Sequence, residues 1–287
     1  MHSLLTSNNG QTPTPGKQPR LFWSPTGPLA FLPIHAAGNY ETSELGNKVS
    51  DFVVSSYAPT LNVLALPSER NTPNHVRLLV VPQPPSDGQT PLSGTRTEMS
   101  YIKEATSNLS PAHTTLVESN GAVEHVLSAM KESDWVHFAC HGVQDLASPT
   151  ESGLCLADQR RLKLSDIIHL SRSRGGLAFL SACQTATGDK ALSEEAVHLA
   201  AGMLLAGYGS VIGTMWSIQD NVAPEVAKDV YEQLLRGGGV PNYREAARAL
   251  HGAVERLCRP GYVKKKKDDA LREGWFLSWV PFIHVGL

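Results

Sequence analysis

Uninterrupted apolar runs constrain the fold of this chain more than any other feature. They are continuous rather than alternating, and helix-patterned segments separate them: VRLLVV (76–81), WVHFA (135–139), LAFLSA (177–182) and SVIGTMW (210–216). A strand that is apolar on both faces is covered on both faces, as in parallel sheets flanked by helices. The sequence therefore predicts an α/β protein, a three-layer α/β/α sandwich with a mostly parallel central sheet.

Other sequence patterns predict the remaining helices and strands of this sandwich. Ser165 is predicted to cap a helical turn over 165–171, and Ser193 to begin a helix over 193–206. The near charge-free stretch 196–216 is long enough to cross a bilayer, but Gly207 and Gly209 interrupt it. The pattern favours a buried helix, a turn and a buried strand over a membrane-spanning helix. Further predictions are a strand (114–118), a hairpin (152–165) and helices (96–107, 121–131, 222–236, 241–257).

Composition divides the chain into three parts. Residues 1–20 are rich in polar residues, Gly and Pro, and are predicted to be a disordered leader. Residues 21–75, with apolar segments broken by prolines, are expected to pack on the core. Residues 76–287 carry the regular strand–helix alternation and are expected to form that core. No period of 20–50 residues indicates a repeat array.

Charge and cysteine content exclude several classes of function. The chain has 25 Lys and Arg against 27 Asp and Glu, a net charge of −2, so no basic field favours nucleic acid or an anionic membrane. Lys264–Lys267 are followed at once by two aspartates and read as a solvated segment. The four cysteines lack CxxC spacing and fit no common zinc finger. We expect free thiols, no metal or cofactor, and a reducing intracellular location, cytoplasmic with the nucleus not excluded.

Two of the apolar runs stop abruptly at reactive side chains. His141 follows the strand 135–139, and Cys183 follows the strand 177–182. The carboxyl ends of parallel strands share the edge where α/β proteins place their sites. An imidazole beside a thiol can withdraw its proton and raise the thiolate fraction. Singly, each residue is usually structural; together they are candidates for a catalytic pair, and both interpretations stay open.

Gly142 has a possible role of its own in such a site. An acyl-transfer intermediate needs backbone N–H groups directed at its oxyanion. A glycine allows a close approach because no side chain stands in the way. The N–H groups of Gly142 and Cys183 are therefore the candidates for an oxyanion hole.

Four blocks give the chain a family resemblance: HFACHG, FLSACQTATGD, EEAVHLAAGMLLAGYGSVIGTMWSIQD and WVPFIHVG. They closely resemble the CHAT domain, a caspase-like cysteine peptidase family related to separase, and in particular its fungal copies. The resemblance implies a caspase-like fold with His141 as the base and Cys183 as the nucleophile. It also implies that Asp220, which follows Trp216, holds a basic substrate residue. Thr185 stands where caspases have glycine, which argues against Asp-directed cleavage.

Other candidates have plainer interpretations. Asp220 could instead cap the helix that contains Pro224. Asp145 and Asp189, in the loops after His141 and Cys183, could line the pocket or simply be solvated. Structural roles are expected for His35, Cys140, His198, Trp275, Phe276 and Trp279.

The sequence-based hypothesis is a cysteine endopeptidase that cleaves a protein or peptide substrate through a His–Cys pair, in a regulated signalling, cell-death or defence pathway. Long members of the family carry tetratricopeptide repeats, so here a separate repeat-containing protein is expected to act as regulator. One alternative is a catalytically silent interaction module. The other is a cysteine hydrolase or acyltransferase that acts on a small molecule.

Overall fold

The computed structural model describes most of the chain. At residues 93, 115, 117, 149, 183–184, 195–198 and 269–273 it describes the backbone alone. The described residues are 14, 16–42, 44–62, 74–82, 93–107, 114–118, 122–143, 145, 148–156, 160–170, 175–181, 183–184, 195–218, 221–236, 239–258 and 269–287.

Among the described residues, twelve strands form two sheets. In chain order they are β1 (Arg20–Trp23), β2 (Val54–Tyr57), β3 (Val76–Pro82), β4 (Thr114–Glu118), β5 (Trp135–Ala139), β6 (His141–Val143), β7 (Gly153–Cys155), β8 (Arg161–Lys163), β9 (Gly175–Leu180), β10 (Cys183–Gln184), β11 (Tyr208–Thr214) and β12 (Phe282–Gly286). The central sheet has the order β1-β2-β12-β11-β9-β5-β3-β4, and the small sheet the order β10-β6-β7-β8. In the central sheet, every described pairing is parallel except that of β11 with β12.

Helices cover both faces of the central sheet. They are α1 (Val49–Phe52), α2 (Ser93–Ser107), α3 (Val123–Glu132), α4 (Leu164–Ile168), α5 (Glu195–Leu205), α6 (Ala223–Leu234), α7 (Ala246–Cys258) and α8 (Asp269–Trp279). Residues of α2, α6, α7 and α8 share one buried cluster, and residues of α3, α4 and α5 share another. The predicted three-layer sandwich with a mostly parallel sheet is confirmed.

Side chains alternate between these clusters along each central strand. In β5, Trp135 belongs to the α2/α6 cluster, whereas Val136 and Phe138 belong to the α3/α5 cluster. In β9, Phe179 faces α6, and Ala178 and Leu180 face the opposite layer. Two-sided burial explains why these strands read as continuous apolar runs.

The turn between α5 and β11 confirms the interpretation of the long apolar stretch. The helix ends at Leu205, and Gly207 has a φ of +104°, which favours glycine. The chain then enters the buried strand β11. Among the described residues, no helix is long and apolar enough to cross a membrane.

Several predicted boundaries are wrong by a few residues. Strand β11 ends at Thr214 rather than Trp216, and β3 includes Pro82, which pairs with Ala139. Ser165 does not cap its helix: α4 begins at Leu164, and the N–H of Lys163 donates to Asp166 Oδ2 (3.2 Å).

The predicted leader extends too far along the chain. Gln18 is buried, the N–H of Val54 donates to the carbonyl oxygen of Pro19 (2.9 Å), and Arg20 begins β1. Residues 1–13 lie outside the described residues. Beyond the leader, β1 and β2 belong to the central sheet itself.

Candidate active site

The two strands that end in reactive residues are direct neighbours. β5 and β9 are parallel, with His137 opposite Phe179 and Phe138 opposite Leu180. Beyond them the chain continues as β6 and β10, which pair in parallel in the small sheet. The Cα atom of Cys183 is the register partner of His141, and that of Gln184 is the partner of Gly142. The structure thus brings the two predicted residues to adjacent strands at one edge of the sheet.

The small sheet also fixes the backbone around the histidine. β6 lies between β10 and β7, and Gly142 is the register partner of both Gln184 and Leu154. His141 is 2% exposed, so its ring is held within the protein. The sequence predicted both residues just past the ends of two strands; each lies there in a short strand of a second sheet that was not predicted.

Cys140, which precedes His141 in the sequence, lies in the core. Cys140 is completely buried in the cluster that contains Phe138 and Leu180, as its predicted packing role requires. Cys140, Cys155 and Cys258 are not part of a disulfide bond in the described part of the chain. Burial raises the pKa of Cys258 to about 12, which disfavours its thiolate.

The other predicted pocket residues are only partly described. The carboxyl end of β11 lies beside that of β9, because the two strands pair in parallel. Trp216 follows it and packs against both core clusters. Asp220 and Asp189 lie outside the described residues. Asp145 holds a turn, since the N–H of Ser148 donates to its Oδ1 (3.0 Å).

A buried polar cluster close to the two strand ends was missed at the sequence level. It consists of Glu98 in α2, His137 in β5, Ser181 after β9 and Tyr231 in α6. Burial and the charge of Glu98 raise the pKa of Tyr231 well above its ordinary value. One signal was available: His137 is the only polar residue of the run WVHFA.

Four of the residues predicted to be structural, His35, Trp275, Phe276 and Trp279, have described contacts that fit that role. His35 Nδ1 lies 2.8 Å from Tyr57 Oη, and Nε2 lies 2.9 Å from the carbonyl oxygen of Val280. Burial lowers the pKa of His35 to about 4. Trp275, Phe276 and Trp279 belong to or pack against the core. The side chain of His198 lies outside the described residues.

No metal site is found in the part of the chain that the structure describes. There, no group of three or more His, Cys, Asp or Glu side chains could hold a metal ion.

A family comparison bears directly on this arrangement. The model of the CHAT domain family matches residues 3–286, nearly the whole chain. The chain belongs to the CHAT domain family. No curated protein matches this CHAT domain.

Solved structures support the same fold. The CHAT domain is similar to separase of Saccharomyces cerevisiae in its complex with securin, with a TM-score of 0.50, 15% identity and 83% of this chain covered. It is also similar to the complex of the RgpB pro- and mature domains of Porphyromonas gingivalis, with a TM-score of 0.55, 9% identity and 99% covered. The matches span 14% of the separase chain and 66% of the RgpB chain. The predicted caspase-like fold is therefore confirmed.

Proposed function

We propose that this CHAT domain is a cysteine endopeptidase in which His141 and Cys183 form the catalytic pair. One observation carries the proposal: the backbone positions of His141 and Cys183 face each other in adjacent parallel strands. The caspase-like fold and the family membership support it.

In the proposed reaction His141 accepts the proton of the Cys183 thiol. The thiolate attacks the carbonyl carbon of the peptide, and the N–H groups of Gly142 and Cys183 stabilise the resulting oxyanion. His141 then donates its proton to the leaving amine, and an acyl-enzyme remains. Water hydrolyses the acyl-enzyme, with His141 again accepting a proton, which restores the free thiol.

Substrate recognition is proposed to involve a carboxylate near the end of β11. Asp220 would pair with Arg or Lys before the scissile bond, because a guanidinium offers a carboxylate two parallel hydrogen bonds. Asp145 and Asp189 are weaker candidates for the same surface. The solved separase structure contains securin, and the RgpB structure contains a pro-domain. We propose by analogy that the partners of this chain are proteins, as substrate or regulator.

An active-site-directed probe tests the proposal. A peptidyl acyloxymethyl ketone with Arg before the reactive group is expected to label the wild type and not Cys183→Ala. His141→Ala is expected to be labelled far more slowly, because the thiol loses its base. Cys140→Ala is the matched control: it removes the adjacent thiol, which lies in the core, and labelling should persist.

A peptide library separates the alternatives. Cleavage by the wild type but not by Cys183→Ala supports the endopeptidase, and cleavage after basic residues supports the role of Asp220. Probe labelling without any peptide cleavage would favour a hydrolase or acyltransferase acting on a small molecule. Neither labelling nor cleavage would contradict the proposal and favour an interaction module.

A further inference from the structure

A single buried carboxylate contacts both strands that lead to the catalytic pair. Glu98 Oε2 accepts a hydrogen bond from the Ser181 hydroxyl (3.1 Å), and Glu98 Oε1 lies 3.1 Å from His137 Nε2. Ser181 stands two residues before Cys183, and His137 stands four residues before His141. One side chain of α2 thus contacts the middle residue of β5 and the residue that follows β9.

The alternation of the strands explains why these groups meet. His137 and Phe179 lie on the sheet face that α2 and α6 cover, and their ring centroids are 4.7 Å apart. Ser181 lies two residues after Phe179, so its side chain reaches the same face. The helices are themselves joined: Tyr101 of α2 donates to Glu225 of α6 (3.3 Å).

Tyr231 of α6 also contacts the histidine of the cluster. The raised pKa of Tyr231 keeps its phenol protonated, and its oxygen lies 3.2 Å from His137 Nδ1. Glu98, which is 2% exposed, accepts a hydrogen bond from the Ser181 hydroxyl, and its other oxygen lies 3.1 Å from His137 Nε2. Because a buried carboxylate is costly without such partners, the cluster favours one register of the two strand ends.

We propose that Glu98 is a positioning residue for the His141–Cys183 pair, fixing the side chain of Ser181, two residues before Cys183, against His137 of β5. The inference rests on the proposed function, since it assigns Glu98 a role in that same site. Catalytic geometry is sensitive to small displacements: a shift of about 1 Å can cost on the order of a hundredfold in rate. A substitution that loosens the strand ends should therefore lower the reactivity of Cys183 before it measurably lowers the free energy of unfolding.

Two substitutions break the cluster with little change in volume. Glu98→Gln is isosteric and removes the charge, and Ser181→Ala removes one hydroxyl oxygen. Ser210→Ala is the matched control. Ser210 is also fully buried, and its Oγ lies 2.7 Å from His284 Nε2, but it pairs with Leu177 near the start of β9. It therefore loses a comparable hydrogen bond far from the catalytic edge.

The test measures the alkylation of Cys183 by iodoacetamide against pH, with the modified peptide quantified by mass spectrometry. Urea unfolding is measured for each variant, and kcat and KM are measured on a fluorogenic peptide. In Glu98→Gln and Ser181→Ala we expect alkylation at pH 7 and kcat to fall about tenfold, with KM little changed. The pH midpoint should move towards that of free cysteine, about 8.5. Ser181→Thr, which keeps the hydroxyl, should restore both rates, and Ser210→Ala should match the wild type.

Two results distinguish a failure of the proposed function from a failure of the role of Glu98. If wild-type Cys183 reacts no faster than in His141→Ala, the residues are not coupled, and the proposed function and the role of Glu98 both fail. If the reaction depends on His141 but Glu98→Gln and Ser181→Ala behave like Ser210→Ala, the pair stands and the positioning role of Glu98 is wrong.

Discussion

At the scale of single residues, Gly142 belongs to the small sheet and is also proposed to donate its N–H to the oxyanion. It is buried next to His141 and faces Gln184 of β10. Replacing it with valine places a branched side chain beside the position proposed for the substrate carbonyl. We expect Gly142→Val to lower kcat/KM on a peptide about a hundredfold, because an oxyanion donor contributes about 3 kcal/mol to transition-state stabilisation.

The same variant has an internal control. Alkylation by iodoacetamide involves no oxyanion, so the rate at Cys183 should remain close to that of the wild type in Gly142→Val. A fall in both rates would indicate that the substitution disturbs the catalytic pair itself. Normal peptide turnover would mean that Gly142 serves only the backbone of β6.

Sequence patterns identified the residues at the strand ends but not those beneath them. His141 and Cys183 stand out because each interrupts an apolar run where a parallel strand should end. Glu98 lies in a helix with many polar residues, so nothing in its neighbourhood marks it as buried. Its partners come from positions 39 and 83 residues away (137 − 98 and 181 − 98), and only the folded chain brings them together.

At the scale of secondary-structure elements, the turn from α5 into β11 depends on one glycine. Gly207 has a φ of +104°, and its N–H donates to the carbonyl oxygen of Leu204 (3.0 Å), which ends the helix. A Cβ atom is strained in this conformation. Gly207→Ala should lower the free energy of unfolding by about 1–2 kcal/mol.

Urea unfolding of Gly207→Ala and Gly239→Ala checks this expectation. At Gly239 a Cβ atom would meet nothing within 4 Å. That variant should stay close to the wild type. Equal unfolding midpoints for the two variants would show that the turn tolerates a side chain.

The long elements were predictable and the shortest ones were not. Strands such as β5 and β9 are five or six residues long, and two-sided burial makes them read as apolar runs. β6 and β10 have three and two residues, too few for any periodicity. Their pairing depends on contacts between distant segments, so the small sheet that aligns His141 with Cys183 was not predicted.

At the scale of the whole molecule, two histidines, His35 and the buried His284, connect the N-terminal segments to the C-terminal strand. His35 contacts Tyr57 of β2 and the carbonyl oxygen of Val280, just before β12. His284 of β12 contacts Ser210 of β11 (2.7 Å) and Ser56 of β2 (3.0 Å). Both rings therefore make contacts between segments that are more than 200 residues apart in sequence.

The contribution of His35 and His284 to the free energy of unfolding should fall in acid. Burial lowers the pKa of His35 to about 4, and burial, with the charge of Arg20, lowers that of His284 well below its ordinary value. An unfolded histidine titrates near 6.5. Between about pH 6.5 and 4 the unfolded chain binds protons that the folded protein does not, so the free energy of unfolding falls as the pH falls. His35 alone should account for a loss of about 2 kcal/mol between pH 7 and pH 5.

Urea unfolding at pH 7, 6 and 5 measures this loss, and two glutamine variants assign it. His35→Gln cannot titrate, so its unfolding free energy should fall by about 2 kcal/mol less than that of the wild type over this range. His125→Gln replaces an exposed histidine and should follow the wild type. Parallel pH dependences for His35→Gln and the wild type would mean that His35 takes up its proton equally in the folded and unfolded chains, and that its buried contacts do not determine acid stability.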